Sequence, residues 1–298
     1  MRTWLKILIY ISIAFVLYYL YRQNMLIMPA VFSVKALLFS VLLLFIGFIF
    51  DALTWQVVLR TSRKKILISD ALISYGLFVF TKYLPGKLWV IIGKAGYIAE
   101  RYALSSSHVT ALSFLHQIVV LITGSIVGGL CLLVLFPSYI TFSAFLGLIA
   151  ISLIFTMRAN KAVNYLLGQI NKLLKKNIDS ISITPNQIFV SLCFSVTTWL
   201  FWGFGFYFFA QAISEVSVNV FIMGFFPVAT VLGVVAILFP GGIGIREGVL
   251  ALLLGRSLAS TALISSISVF SRIWFLGGEA FIFILSLLLL AFRRFNKT

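Results

Sequence analysis

Arg246 and Glu247 stand directly behind a Pro240-Gly241-Gly242-Ile243-Gly244 break, inside the most apolar part of the chain. The glycines let backbone approach a ligand closely. A helix starting just after them presents unpaired N–H groups and partial positive charge. Together with the Arg246 guanidinium, this makes a site for a phosphate or a carboxylate. The Lys-Ser/Thr pair with which a P-loop holds nucleotide and magnesium is missing from the segment. Farther on, Arg272 and Glu279 are seven residues apart. That is nearly two helical turns, so they share a face. Ionisable groups in so apolar a setting are functional hypotheses by default. Two pairings would neutralise them, Arg246 with Glu279 or Arg272 with Glu247, and a static ion pair is the competing reading.

A second set of charges surrounds Lys82-Tyr83-Leu84-Pro85-Gly86-Lys87-Leu88-Trp89. Lys82, Tyr83 and Trp89 suit lipid head groups at the membrane interface, whereas Lys87, directly behind Pro85-Gly86, reads as a substrate contact. Lys94 follows as an anchor or a further contact. Asp51 suits a proton site or, preferably, a partner for Arg60 or a lysine of this segment. His108 and His116 are eight residues apart and share a helix face, yet no acid or cysteine near them completes a metal constellation. His116-Gln117 reads as a hydrogen-bonded core position rather than a cavity wall. Cys131 and Cys193 read as buried free thiols. No paired-carboxylate or Ser-His-Asp arrangement stands out, and no catalytic residue, metal or cofactor is assigned.

The elements that must position these groups follow from composition. Of 298 residues, 62% are hydrophobic and 10% charged, and mean hydropathy is +1.13. Soluble domains are nearer 45–50% apolar and about 25% charged. The sequence therefore predicts an all-α polytopic membrane protein, one domain over residues 1–298, with about 6–8 transmembrane helices of roughly 20 residues each. The net charge of +16 fits cytoplasmic loops and anionic lipid better than nucleic acid. The N-terminal apolar run lacks a small-residue cleavage site and reads as a retained span.

Full spans are predicted near 4–21, 34–59, 109–136, 139–157, 188–213 and 263–292. Residues 158–185 form a basic cytoplasmic loop, partly an amphipathic interfacial helix. Basic residues at Arg60–Lys65 and Arg293–Lys297 put both termini in the cytoplasm, in a cell membrane. Two stretches are too broken to span simply, residues 70–103 around Pro85-Gly86 and residues 218–256 around Pro240-Gly241-Gly242. Short Pro/Gly-interrupted segments in corresponding places point to a transporter's midplane site. They are predicted to be re-entrant hairpins of opposite entry, against two unrelated kinks.

Lys82-Tyr-Leu-Pro-Gly-Lys-Leu-Trp89, Phe239-Pro-Gly-Gly-Ile-Gly-Ile-Arg-Glu-Gly248 and the Arg272…Gly278-Glu279 spacing resemble the lysylphosphatidylglycerol synthase transmembrane family. The resemblance covers nearly the whole chain. It implies a flippase-like domain that moves an anionic or modified lipid between leaflets. It carries site or hinge roles onto Pro85, Gly86, Lys87, Trp89, Pro240, Gly241, Gly242, Gly244, Arg246, Glu247, Gly248, Arg272 and Glu279. The fused aminoacyl transferase of larger members is not found in this sequence. The expected ligand is a phospholipid, an aminoacyl-phospholipid or a polyprenyl-phosphate lipid, with a homodimer or a lipid or glycan synthase as partner. The alternatives are a membrane transferase acting on a lipid head group, with Glu247 as its acid or base, and an accessory subunit of a synthesis complex.

Overall fold

The structure, a computed structural model, describes residues 30–60, 64–84, 88–174, 182–236 and 244–295, with Ser180, Gly242 and positions Ile7, Ile9, Tyr10, Ile11, Ala14 and Tyr18 of the first predicted span. All regular structure in it is helical. In chain order the helices are α1 (Val34–Leu59), α2 (Ile68–Leu77), α3 (Trp89–Tyr102), α4 (Ser106–Leu135), α5 (Tyr139–Leu174), α6 (Pro185–Ala212), α7 (Phe225–Val235), α8 (Ile245–Leu254) and α9 (Thr261–Phe295). Short 3-10 segments, Val79–Tyr83 and Val220–Gly224, follow α2 and precede α7.

Five of the helices, α1, α4, α5, α6 and α9, are long and apolar enough to cross a membrane. The sequence starts and stops them by ordinary means. Ser33 caps α1 by accepting from Ala36 N–H, and Thr184 and Gln187 form a reciprocal capping box around Pro185 at the start of α6. Pro137-Ser138 separates α4 from α5, and Thr141 Oγ1 closes that turn on the Phe136 carbonyl at 2.9 Å. α1 and α6 make the most extensive helix pair. Ser40 Oγ donates to the Gly205 carbonyl across it at 2.7 Å.

The other four helices have 10, 14, 11 and 10 residues. At about 1.5 Å per residue none crosses a hydrocarbon layer of about 30 Å alone. They form two interrupted pairs, α2 with α3 and α7 with α8, as the Pro/Gly breaks imply. α2 crosses α9 so closely that a Cβ on Gly76 would stand 2.1 Å from Ser286 Oγ. Pro85, Gly86, Lys87, Pro240 and Gly241, on which the predicted breaks rest, lie outside the described residues.

Two expectations are corrected. The fourth predicted span does not end at 157, because α5 runs unbroken through Leu174. Arg158, Ala159, Lys161 and Ala162 are good helix formers, and no proline intervenes before Pro185. The apolar stripe of this extension, Ala159, Val163 and Leu167, is buried in the protein core rather than free to lie on a lipid surface. Cys131 is buried as expected, but Cys193 is exposed on α6.

Candidate functional site

The two interrupted helix pairs face each other across a cavity of about 400 Å³, within the usual range for small-ligand sites. Val79, Lys82, Tyr83 and Lys94 line it from the first pair and its 3-10 segment, and Thr230, Gly233 and Arg246 from the second. α1, α4, α6 and α9 supply the remaining walls. Two positive-φ glycines bring the second pair in. Gly242 has φ +70° and sits against the Gly233 backbone, where a Cβ would meet main-chain atoms at 2.9 Å. Gly244, at φ +82°, precedes the first residue of α8. Both conformations favour glycine.

Arg246 is buried, at 6% exposure. Its guanidinium lies 4.6 Å from the Phe226 ring centroid and 5.0 Å from that of Phe275. Nη2 donates to the Ser271 carbonyl at 3.3 Å, and Nε has no hydrogen-bond partner. Among the described residues, no carboxylate comes within ion-pair distance of it. Trp202 Nε1 and Thr230 Oγ1 belong to lining residues too, and both are buried without a partner among the described residues. Buried polar atoms are nearly always hydrogen-bonded. A fourth, Asp51 Oδ1, belongs to a lining residue as well. The three that can donate, Arg246 Nε, Trp202 Nε1 and Thr230 Oγ1, mark a place for a ligand that accepts hydrogen bonds.

The acids near the cavity are engaged elsewhere. Arg272 Nη1 donates to Glu247 Oε1 at 2.5 Å, one of the two pairings weighed from the sequence. Glu247 Oε2 accepts from the Gly244 N–H at 2.8 Å and so caps α8. Glu279 is fully buried, and its partner is Lys82 rather than Arg246. Tyr83 donates to the same carboxylate, at 2.9 Å to Oε2. Lys82 and Tyr83, expected to meet lipid head groups, are both turned to Glu279. Tyr83 is 4% exposed, and a fully buried carboxylate needs both donors. Trp89 is half exposed at the start of α3. Gly248 is an exposed position inside α8 with open space around an added Cβ, so nothing there requires glycine.

Lys94 and His116 also belong to the cavity wall. His116 is hydrogen-bonded, as a core histidine should be, and lines the cavity as well. Sequence reasoning missed Trp202 and Thr230 altogether. Their only signal was position, Thr230 inside the second interrupted segment and Trp202 on the helix before it. Among the described residues no cluster of His, Cys, Asp or Glu is arranged to hold a metal.

A family model for the lysylphosphatidylglycerol synthase TM region matches residues 3–276. No curated protein and no solved structure matches the chain.

Proposed function

This chain belongs to the lysylphosphatidylglycerol synthase transmembrane family, and from that premise we propose that it is a lipid translocase carrying an anionic head group through the cavity. The family links the protein to membrane lipids. The observation that carries the finer reading is Arg246, a buried guanidinium that faces the cavity without a carboxylate contact and with Nε unpartnered. A phosphate supplies what that group lacks, since its oxygens accept two parallel N–H bonds from a guanidinium. Phe226 and Phe275 hold the plane of the guanidinium, which fixes the direction from which the phosphate is met.

In this mechanism the head group enters between the interrupted pairs while the acyl or prenyl tails stay in the bilayer. The Arg272–Glu247 and Lys82–Glu279 pairs keep the empty site close to neutral. The arriving anion then meets Arg246, whose charge no carboxylate contacts among the described residues. Movement of one interrupted pair against the other exposes the site to each leaflet in turn. Re-entrant pairs of opposite entry and cytoplasmic termini are part of the same proposal.

The test is reconstitution of the full chain in liposomes with fluorescent phosphatidylglycerol, following loss of signal to an external quencher. Wild type is expected to expose the inner-leaflet probe, and Arg246→Ala to slow that at least about tenfold, which corresponds to about 1.4 kcal/mol. Full activity in a well-folded Arg246→Ala protein overturns the reading.

A further inference from the structure

The cavity wall carries a second set of buried ionisable groups that the anion site does not use. Lys94 Nζ lies 2.8 Å from His116 Nδ1. His116 Nε2 is hydrogen-bonded to the main-chain oxygen of Asp51 at 3.3 Å, and Oδ1 lies at the same distance with no hydrogen bond of its own among the described residues. Tyr75 donates to Asp51 Oδ2 at 2.5 Å. The four groups come from α3, α4, α1 and α2, and Lys94, His116 and Asp51 are no more than 5% exposed. Lys94 also lies 4.6 Å from the Trp55 ring centroid. Of the remaining helices, α9 contributes Glu279, whose charge acts on Tyr75, while α6 and α7 contain no charged residue.

The proton positions follow once Lys94 is taken as an ammonium. An ammonium only donates, so His116 Nδ1 accepts from Lys94. The neutral imidazole then carries its hydrogen on Nε2 and donates to the main-chain oxygen of Asp51, with Oδ1 next to it. A lysine and an aspartate needing only mutual neutralisation would meet directly. Here an imidazole, the side chain suited to passing a proton between its two nitrogens, stands between them. We propose that this row is a proton-binding site coupled to the anion site, so that the cavity takes up one proton with each anionic head group. The inference rests on the reading of the cavity given above.

The step balances as follows. Lys94 gives a proton to His116 Nδ1, His116 gives its Nε2 proton to Asp51 Oδ1, and the neutral Lys94 amine is reprotonated by hydronium from the aqueous phase, which leaves as water. The net result is one proton of the aqueous phase residing on Asp51, with the imidazole in its other tautomer. Nδ1 now carries hydrogen and no longer accepts from Lys94. The ammonium must leave it, and the anion is the acceptor to which it turns. Departure of the anion runs the sequence backwards and returns the proton to water.

The experiment imposes a pH difference across liposomes holding the full chain and fluorescent phosphatidylglycerol. Wild type is expected to redistribute the probe between leaflets by at least about threefold in response. Asp51→Asn and Tyr75→Phe are expected to lose that response. Arg246→Ala separates the two readings: if it abolishes movement while wild type ignores the pH difference, the anion site stands and the proton site is overturned. If wild type moves no lipid, histidine nitrogen NMR of a His108→Gln protein decides. A His116 signal that switches tautomer with pH, and stops doing so in Asp51→Asn, supports the proton site. A signal locked in one tautomer from pH 5 to 9, or unaffected by Asp51→Asn, overturns it.

Discussion

Asp70 and Arg246 are both charged, both buried and both in the first turn of a short helix, yet their surroundings are opposite. Asp70 is fully buried, and its carboxylate is taken up on every side. Arg101 Nε meets Oδ1 at 2.5 Å, Arg293 meets the same oxygen, and Tyr102 donates to Oδ2 at 2.7 Å. Arg293 also reaches Ser69, and Tyr102 OH in turn accepts from the Leu67 N–H. The knot ties α2, α3 and α9 together at one end of the protein. Arg246 has one carbonyl, two aromatic faces and a cavity. Burial and charge alone do not distinguish structure from site in this molecule. The proposed assignment of Arg246 to a site rests on the hydrogen-bonding capacity it has left over.

Substitutions that separate stability from transport test the contrast most directly. Asp70→Ala is expected to have the largest effect on folding, about 3 kcal/mol, because it removes the buried centre of a charged network. The readout is a lower melting temperature in detergent, with lipid movement per folded molecule retained. A folded Asp70→Ala protein that melts normally but moves no lipid would erase the distinction. Arg246→Lys is next. It keeps the charge but loses the planar fork, so lipid movement should fall about tenfold with little change in melting. Gly242→Ala puts a methyl group against Gly233 at positive φ, and a cost of about 1–2 kcal/mol is expected, seen in both melting and transport. Arg101→Gln is expected to do least. The Arg101 side chain is 37% exposed, and its pair with Asp70 is worth about 0–1 kcal/mol in a melt.

Much of this was legible in the sequence, for identifiable reasons. Apolar runs of spanning length announced α1, α4, α6 and α9, and prolines with glycines announced the two interrupted pairs. The seven-residue spacing of Arg272 and Glu279 put them on one face, and the Arg272–Glu247 contact was among the pairings that local charge balance allowed. What stayed hidden was long-range. Lys82 and Tyr83 lie nearly two hundred residues from Glu279, and beside a Pro-Gly break they read as interfacial residues. Asp51, Lys94 and His116 were each seen singly, but no local pattern joins three helices into one row. The end of α5 was misjudged because an amphipathic stripe looks the same whether it faces lipid or protein.

Glu247 has two tasks at once, since one oxygen closes the start of α8 and the other holds Arg272. A carboxylate is flat and turns as a single plate, so these contacts are not independent. Any rotation that lets go of Arg272 also loosens the first turn of α8, and any fraying of that turn slackens the hold on α9. The side chain works as a latch shared by two helices, and the short helix that bears Arg246 begins where the latch sits.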